Sequence, residues 1–383
     1  VIIRKTSKSQ GMLRNPFVLN GYIGKEYFCD REHEVQKLLE HISNGVNVTL
    51  VSPRRVGKTG LIEHLFHQKE VEENYYTFLI DIYATKTIEE MVAQMAKSIL
   101  STLKSRSEKA LQSFSSIVQS LRPTMSFDNL GNPSWSIGVG EIQSPQNSLD
   151  EIFRYIENAD KPCIVAIDEF QTISEYPDVK AEALLRTYVQ HCHNAQFIFA
   201  GSKRTMIVEM FSKHSRPFYQ STTIMSVPKL DIEKYRAFAV SHFEKGGKGL
   251  SPDVVDEVYD MFEGVTWYLQ RVMNKLYMLT PTSETCDTHY IPNAIEDILD
   301  ENQMAYEALL YQIPSRQKAL LMAICAEGKA SSITSTAFVR KHSLSSSSSV
   351  QSAIRGLLDK ELVTSENGAY EVYDKFLAIW LNR

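Results

Sequence analysis

A strand that runs straight into a phosphate-wrapping loop constrains this chain more than any other feature. The apolar run Val46-Asn47-Val48-Thr49-Leu50-Val51 leads into Ser52-Pro53-Arg54-Arg55-Val56-Gly57-Lys58-Thr59, and the helical pattern Leu61-Ile62-Glu63-His64-Leu65-Phe66 follows Gly60. Strand, loop and helix stand in the order of a G-x-x-x-x-G-K-[ST] phosphate loop, with Ser52 where the first glycine belongs. Successive backbone N–H groups wrap the phosphates of a nucleoside triphosphate, and the helix N-terminus adds positive dipole. Ser52 to Gly60 is therefore the expected nucleotide-binding loop. Lys58 is expected to reach the β- and γ-phosphates, and the Thr59 hydroxyl to hold Mg²⁺.

A second signal lies further along. Cys163-Ile164-Val165-Ala166-Ile167 is an unbroken apolar run that ends in Asp168-Glu169. Such a run reads as a strand buried on both faces of a parallel sheet. Ligands of open α/β sheets bind at the carboxyl ends of the strands, where these two carboxylates fall. Asp168 is expected in the Mg²⁺ shell, and Glu169 as the general base that polarises the attacking water.

Composition is compatible and excludes little else. The chain has 383 residues, 43% apolar and 23% charged, with a net charge of −5. Two or three domains are expected at this length, with no global pull toward nucleic acid or membrane. No apolar run approaches the ~20 residues of a membrane span. The opening residues Val1 to Thr6 lack the apolar core of a signal peptide. Five scattered cysteines without a Cys-x-x-Cys read as reduced thiols, so a cytoplasmic protein is expected. His191-Cys192-His193 reads as a helix end, not a metal site.

Apolar spacing places a helix over 31–42, a strand over 77–82 and a helix over 88–103. Residues 129–133 read as a turn between Met125-Ser126-Phe127 and Trp135 to Val139, a β-hairpin inserted at about 123–148. Its Phe127 and Trp135 either cover a core edge or form a docking ledge. A helix over 181–191 precedes the strand Gln196 to Ala200, whose end puts Ser202 beside the expected γ-phosphate. Thr223 to Val227 is the last core strand, and Pro228 marks its exit. Helices are expected over 231–244, 252–262, 267–279 and 295–310. Three further helices over 315–326, 336–341 and 345–359, then two strands around Asn367-Gly368, make a winged helix, with the serine run 345–349 as turn and cap. The expected organisation is an α/β P-loop NTPase core with a parallel sheet (1–228), a helical lid (229–300) and a C-terminal winged helix (301–383).

Together these stretches resemble the archaeal-type ATPase family, in the signal-transducing branch of the AAA+-like P-loop NTPases and related in plan to the Orc initiators. Phe28-Cys29-Asp30-Arg31-Glu32 resembles the family's Phe-x-x-Arg-Glu segment, whose chain passes the adenine. The loop from Ser52 to Thr59 resembles its Gly-Pro-Arg-Arg-x-Gly-Lys-[Thr/Ser]. Ile167 to Gln171 matches its Walker B, and Ala200-Gly201-Ser202 resembles its sensor strand. Tyr373 to Leu381 resembles its closing Asp-x-x-Phe-x-x-Trp-Leu signature. The resemblance implies ATP and Mg²⁺ as ligands, with Phe28 and Arg31 near the nucleotide. Glu263 to Tyr268 takes the place of a Gly-Gly-x-Pro-type nucleotide-sensing turn but keeps one glycine and no proline, so sensing by that turn is not expected.

The arginines divide. Arg54 and Arg55 either face the nucleotide loop or point outward to a neighbouring domain. Arg204, close after Ser202, is placed to approach the γ-phosphate in cis. Arg216 is a finger candidate for a neighbouring subunit, and Arg271 a weaker sensor candidate. For each of these last three the plain alternative is a solvated surface arginine. Two functions fit: an ATP hydrolase acting as a nucleotide-dependent switch, or a module that holds ATP for structure and grips DNA or protein with its winged helix. Intact Lys58, Thr59, Asp168 and Glu169 favour the first. ATP and ADP are the expected small-molecule partners, and an oligomer is compatible with the sequence. Around the third helix of the winged helix only Arg340, Lys341, His342, Arg355 and Lys360 are basic or titratable to positive charge. A protein partner is therefore expected ahead of DNA.

Overall fold

A computed structural model describes residues 15–120, 123–127, 133–137, 144–178 and 180–383. The contacts divide the chain into two compact units, 1–238 with 264–270, and 239–263 with 271–383.

The first unit runs α1 (Glu32–Ser43), β1 (Val48–Val51), α2 (Lys58–Phe66), α3 (Lys69–Asn74), β2 (Tyr76–Asp81), α4 (Ile88–Arg106), α5 (Glu108–Ile117), β3 (Pro123–Phe127), β4 (Pro133–Ile137), α6 (Pro145–Glu157), β5 (Cys163–Asp168), α7 (Ala181–His191), β6 (Ala195–Gly201), α8 (Arg204–Ser212) and β7 (Thr223–Ser226). Five strands form one sheet in the order β2-β5-β6-β1-β7, every pair parallel. Strand β5 shows why. All six of its residues are buried. Alternate side chains point to opposite faces. Cys163, Val165 and Ile167 join one core, with α4, α5, α6 and α7. Ile164 and Ala166 join the other, with α1 and α2. A strand covered by helices on both faces has no polar side to show, hence the unbroken apolar run.

Register then sets the site. Asp168 pairs with Asp81, and Val51 pairs with Gly201. Because every strand runs the same way, the carboxyl ends of β5, β6 and β1 lie side by side along one edge.

Within the first unit, differences from the expected elements are local. Strand β3 pairs antiparallel with β4, Phe127 opposite Pro133, so the expected hairpin is present. Its turn, 128–132, and the side chains of Phe127 and Trp135 lie outside the described residues. Helices α5 and α6 were not anticipated. Each starts on a capping serine: Ser107 accepts from Ala110 N, and Ser144 accepts from Asn147 N.

The second unit takes α9 (Ile232–Lys245) from Ala239 onward, β8 (Gly249–Leu250), α10 (Pro252–Met261), α11 (Thr266–Leu279) from Arg271 onward, β9 (Thr285–Cys286) and α12 (Tyr290–Gln312). The winged helix follows: α13 (Ser315–Glu327), β10 (Ala330–Ser331), α14 (Thr336–Lys341), α15 (Ser347–Asp359), β11 (Val363–Glu366), β12 (Ala369–Val372) and α16 (Lys375–Leu381). Ser346 caps α15 by accepting from Ser349 N. Asn367 and Gly368 have φ 51° and 79° in the turn between β11 and β12. A two-residue hairpin with both positions left-handed follows the strand twist, which is why Asn-Gly stands there. The two-residue strand β10, unseen in the sequence, pairs with β12.

Residues expected as a lid and those of the winged helix pack together in this unit. The Phe262 and Phe376 rings lie 5.0 Å apart. Glu263 accepts from Lys375 at 3.0 Å and faces Lys329 at 3.4 Å. No described helix is long and apolar enough to cross a membrane. All five cysteines are free, four of them buried and Cys192 half-buried, and no group of described residues could hold a metal through His191 to His193.

Phe376 is 1% exposed. Phe376→Ala should therefore destabilise the second unit by about 3–5 kcal/mol through lost burial and a cavity. Urea unfolding monitored by circular dichroism measures it, and a loss below 1 kcal/mol (roughly one methylene's worth) would place Phe376 outside the core.

Candidate active site

The phosphate loop connects β1 to α2 with two residues in the left-handed region, Arg55 at φ 69° and Gly57 at φ 99°. Gly57 precedes the helix and no side chain caps it. The first N–H groups of α2 are thus left for a ligand, and the dipole favours an anion. Ser52 is not left-handed, so its side chain costs no strain where a glycine is usual. Its buried hydroxyl donates to Pro53 O at 3.0 Å and accepts from Lys58 Nζ at 3.3 Å, which ties the loop together. Lys58 Nζ also donates to the carbonyls of Ser52 at 3.0 Å and Pro53 at 3.2 Å. Burial lowers the Lys58 pKa, while the Glu169 and Asp168 charges pull it back up. A buried ammonium resting on carbonyls of the loop is a cation that phosphate oxygens would satisfy better.

Opposite the loop stand the carboxylates. Thr59 Oγ1 donates to Asp168 Oδ2 at 2.5 Å, and Glu169 N donates to Asp168 Oδ1 at 2.9 Å. Burial raises the Asp168 pKa, against the lowering effect of its bond from Thr59. The donor set suits a small hard cation: a hydroxyl and a buried carboxylate, with a second carboxylate next door. Glu169 is left-handed at φ 54°, which turns its side chain out of the strand. Its Oε2 accepts from Ser202 Oγ at 2.7 Å and from Gln171 Nε2 at 2.5 Å. Arg54 Nε donates to Ser202 Oγ at 3.0 Å.

On the other side of α2, Phe28 stacks on His64 with centroids 4.3 Å apart, and Tyr22 meets Phe28 edge-on at 5.6 Å. Tyr22 Oη hydrogen-bonds His64 Nδ1 at 2.9 Å. A Cβ on Gly60 would sit 3.3 Å from the Phe28 ring, so the small residue lets this aromatic corner close on α2. Arg31 is buried and donates to Val56 O at 3.4 Å.

The loop tip is held by the first turn of α11, whose residues 266–270 belong to the same unit. Thr266 Oγ1 donates to Val56 O at 2.8 Å, and Trp267 N donates to Arg55 O at 3.0 Å. The Arg55 guanidinium lies 4.4 Å from the Trp267 ring and donates to Tyr268 Oη. Residues Thr266, Trp267 and Tyr268 thus fasten this turn to the loop between β1 and α2.

Lys58, Thr59, Asp168, Glu169, Ser202 and Arg54 come together. Phe28 and Arg31 lie at the loop's other flank. Arg204 is exposed at the start of α8. Arg216 forms an ion pair with the buried Glu182 of its own chain at 2.8 Å, and Arg271 pairs with Glu301 within the second unit. The sequence reading gave no role to Gln171, Tyr22, His64 or Thr266; of its two alternatives for the loop arginines, Arg55 takes the outward one, onto Trp267 and Tyr268 of the expected lid range. Gln171 was available as a polar residue two places beyond Glu169; the others depend on tertiary packing.

A family model described as an ATPase domain predominantly from Archaea matches residues 28–272, and a probable winged helix domain matches residues 304–383. No curated protein sequence matches the chain. Among solved structures, the Walker-type ATPase PABY2304 of Pyrococcus abyssi is similar over 96% of this chain and 100% of its own, at 20% identity and TM-score 0.65. The ORC2 protein of Aeropyrum pernix, in ADPNP-ADP complexes, is similar over 96% of each chain at 13% identity and TM-score 0.57. The ORC1 protein of Aeropyrum pernix, in complex with DNA, is similar over 93% of this chain and 92% of its own, at 12% identity and TM-score 0.53. These likenesses show the fold.

Gly201 provides a test of the carboxylate cluster. A Cβ there would lie 2.4 Å from Gln171 Oε1. Gly201→Ala should cost about 1–3 kcal/mol by overpacking. Two Ile207 side-chain atoms would stand 3.1 Å away as well, so Gln171→Ala in the same chain should restore part of the loss, as urea midpoints would register. Equal losses with and without Gln171 would show that the contact does not govern position 201.

Proposed function

The chain belongs to the family of ATPase domains found predominantly in Archaea, and on that premise we propose that it hydrolyses ATP with Mg²⁺ and works as a nucleotide-dependent conformational switch. The observation that carries this reading is the meeting of Lys58, Thr59, Asp168 and Glu169 at the carboxyl edge of the sheet. A site that held nucleotide for structure alone would have no use for a second carboxylate aimed past the metal ligand.

The roles follow from the chemistry. The backbone of Ser52 to Gly60 wraps the phosphates, with α2 directed at them. Lys58 leaves its carbonyl partners for the β- and γ-phosphate oxygens. Thr59 and Asp168 hold Mg²⁺, which supplies charge neutralisation for phosphoryl transfer. Glu169 accepts a proton from water as the water oxygen bonds to the γ-phosphorus and the bond to the ADP oxygen breaks, giving ADP and phosphate. Ser202 fixes Glu169, and Arg204 approaches the γ-phosphate from the start of α8. Phe28 and Arg31 flank the adenine side. The five unpaired thiols suit a cytoplasmic setting.

Lys58→Ala should abolish ATP binding in calorimetry. Glu169→Gln should bind ATP as the wild type does and lose turnover by about 10²–10⁴-fold, the usual worth of a general base. Wild-type protein with no heat of ATP binding would sink the reading.

For the winged helix we favour a protein partner. Lys341 and His342 are both engaged by Glu327, at 2.6 Å and 2.7 Å. That leaves little excess positive charge around α15, whereas DNA binding needs several cations on phosphates and falls steeply with salt. Any DNA affinity measured by fluorescence anisotropy should be weak and vanish at moderate salt. Tight binding that persists there, and weakens in Arg340→Ala or Arg355→Ala, would overturn the preference.

A further inference from the structure

The two adjacent arginines of the phosphate loop face different tasks. Arg55 lies on Trp267 and Tyr268. Arg54 reaches the carboxyl edge of the sheet, with its guanidinium 5.8 Å from the Tyr83 ring and its Nε donating to Ser202 Oγ at 3.0 Å. A guanidinium can donate and cannot accept, and a serine hydroxyl has one proton. With Arg54 donating into Oγ, that proton goes to the acceptor present, Glu169 Oε2 at 2.7 Å. Gln171 Nε2 donates to the same oxygen at 2.5 Å. Among the described residues no hydrogen bond reaches Glu169 Oε1.

We propose that Arg54 is a positioning residue for hydrolysis: it orients the Ser202 hydroxyl, which with Gln171 pins Oε2 of Glu169 and leaves Oε1 as the oxygen presented to the attacking water. The proposal rests on Glu169 being the group that activates water. Its direction is set by the chemistry of the donors, because the chain guanidinium, hydroxyl, carboxylate can run only one way. Each bond in it also polarises the next. It follows that the segment wrapping the phosphates also sets the carboxylate, so substrate and base are aligned by one element.

The test uses the full chain with ATP and Mg²⁺, measuring kcat at saturating ATP and ATP affinity by calorimetry. Arg54→Ala and Ser202→Ala should each lower kcat about tenfold to a hundredfold, the scale of a misplaced catalytic group, with ATP affinity retained. Because Arg54 acts through Ser202, the double variant should be no slower than the slower single variant. Arg54→Met, which keeps bulk and removes the N–H, gives the same reading where Arg54→Ala does not fold. Unchanged kcat, losses that multiply in the double variant, or a loss confined to affinity would each overturn the proposal, the last by making Arg54 a phosphate ligand. A wild-type chain that binds ATP without turning it over removes the Glu169 reading and this proposal with it. Wild-type turnover beside an unaffected Arg54→Ala removes this proposal alone.

Discussion

Everything at the site depends on one constraint of sheet geometry: the parallel pairing of β1, β6 and β5, with β6 in the middle. Parallel strands end together, so a phosphate loop, a hydroxyl and a pair of carboxylates, distant in sequence, arrive at one edge. The pairing is stable because each strand is buried on both faces, and that burial also withdraws Asp168 from water. A buried carboxylate must be satisfied. Thr59, at the start of α2, does so from across the gap. The cost of desolvating Asp168 and the placement of α2 are therefore parts of the same arrangement.

The loop shows how one short segment is held from several directions. Arg31, Thr266 and Trp267 fix the carbonyls of Arg55 and Val56, while the Arg54 side chain turns to Ser202. The cation over Trp267 adds about 0.5–2 kcal/mol, depending on how dry the contact is. Such external ties hold the loop from outside its own sequence. Ser52 contributes a further tie of its own through Lys58.

The parts of the structure that were legible in the sequence are those set by local chemistry. Strand β5 announced itself because a doubly covered strand is apolar at every position. The phosphate loop did so because few residue types can wrap an anion and start a helix. The Asn367-Gly368 turn did so because two left-handed residues narrow the choice of side chain. What was missed falls into two kinds. Helices α5 and α6 begin on Ser107 and Ser144-Pro145, start signals present in the sequence but embedded in polar stretches. Helix α12 likewise begins at Tyr290, because Pro292 in its first turn needs no N–H partner. The roles of His64 and Trp267 are of the other kind: each is defined by a residue far along the chain, Phe28 for the one and Arg55 for the other, and no local pattern encodes it. The organisation of the carboxylate end of the site was readable as an assembly of motifs, whereas the fastening of the loop was not.

Strand β7, one of the two outermost strands of the sheet, has a further consequence. A sheet's outermost strand offers its backbone to any other extended chain, and long flat edges seed aggregates. Here the edge is four residues long, three of them exposed, and Pro228 follows two residues beyond its end. So short a template gives an incoming strand few partners before a residue that cannot donate a ladder bond. At this edge the sheet thus denies intruding chains a rail to grow along.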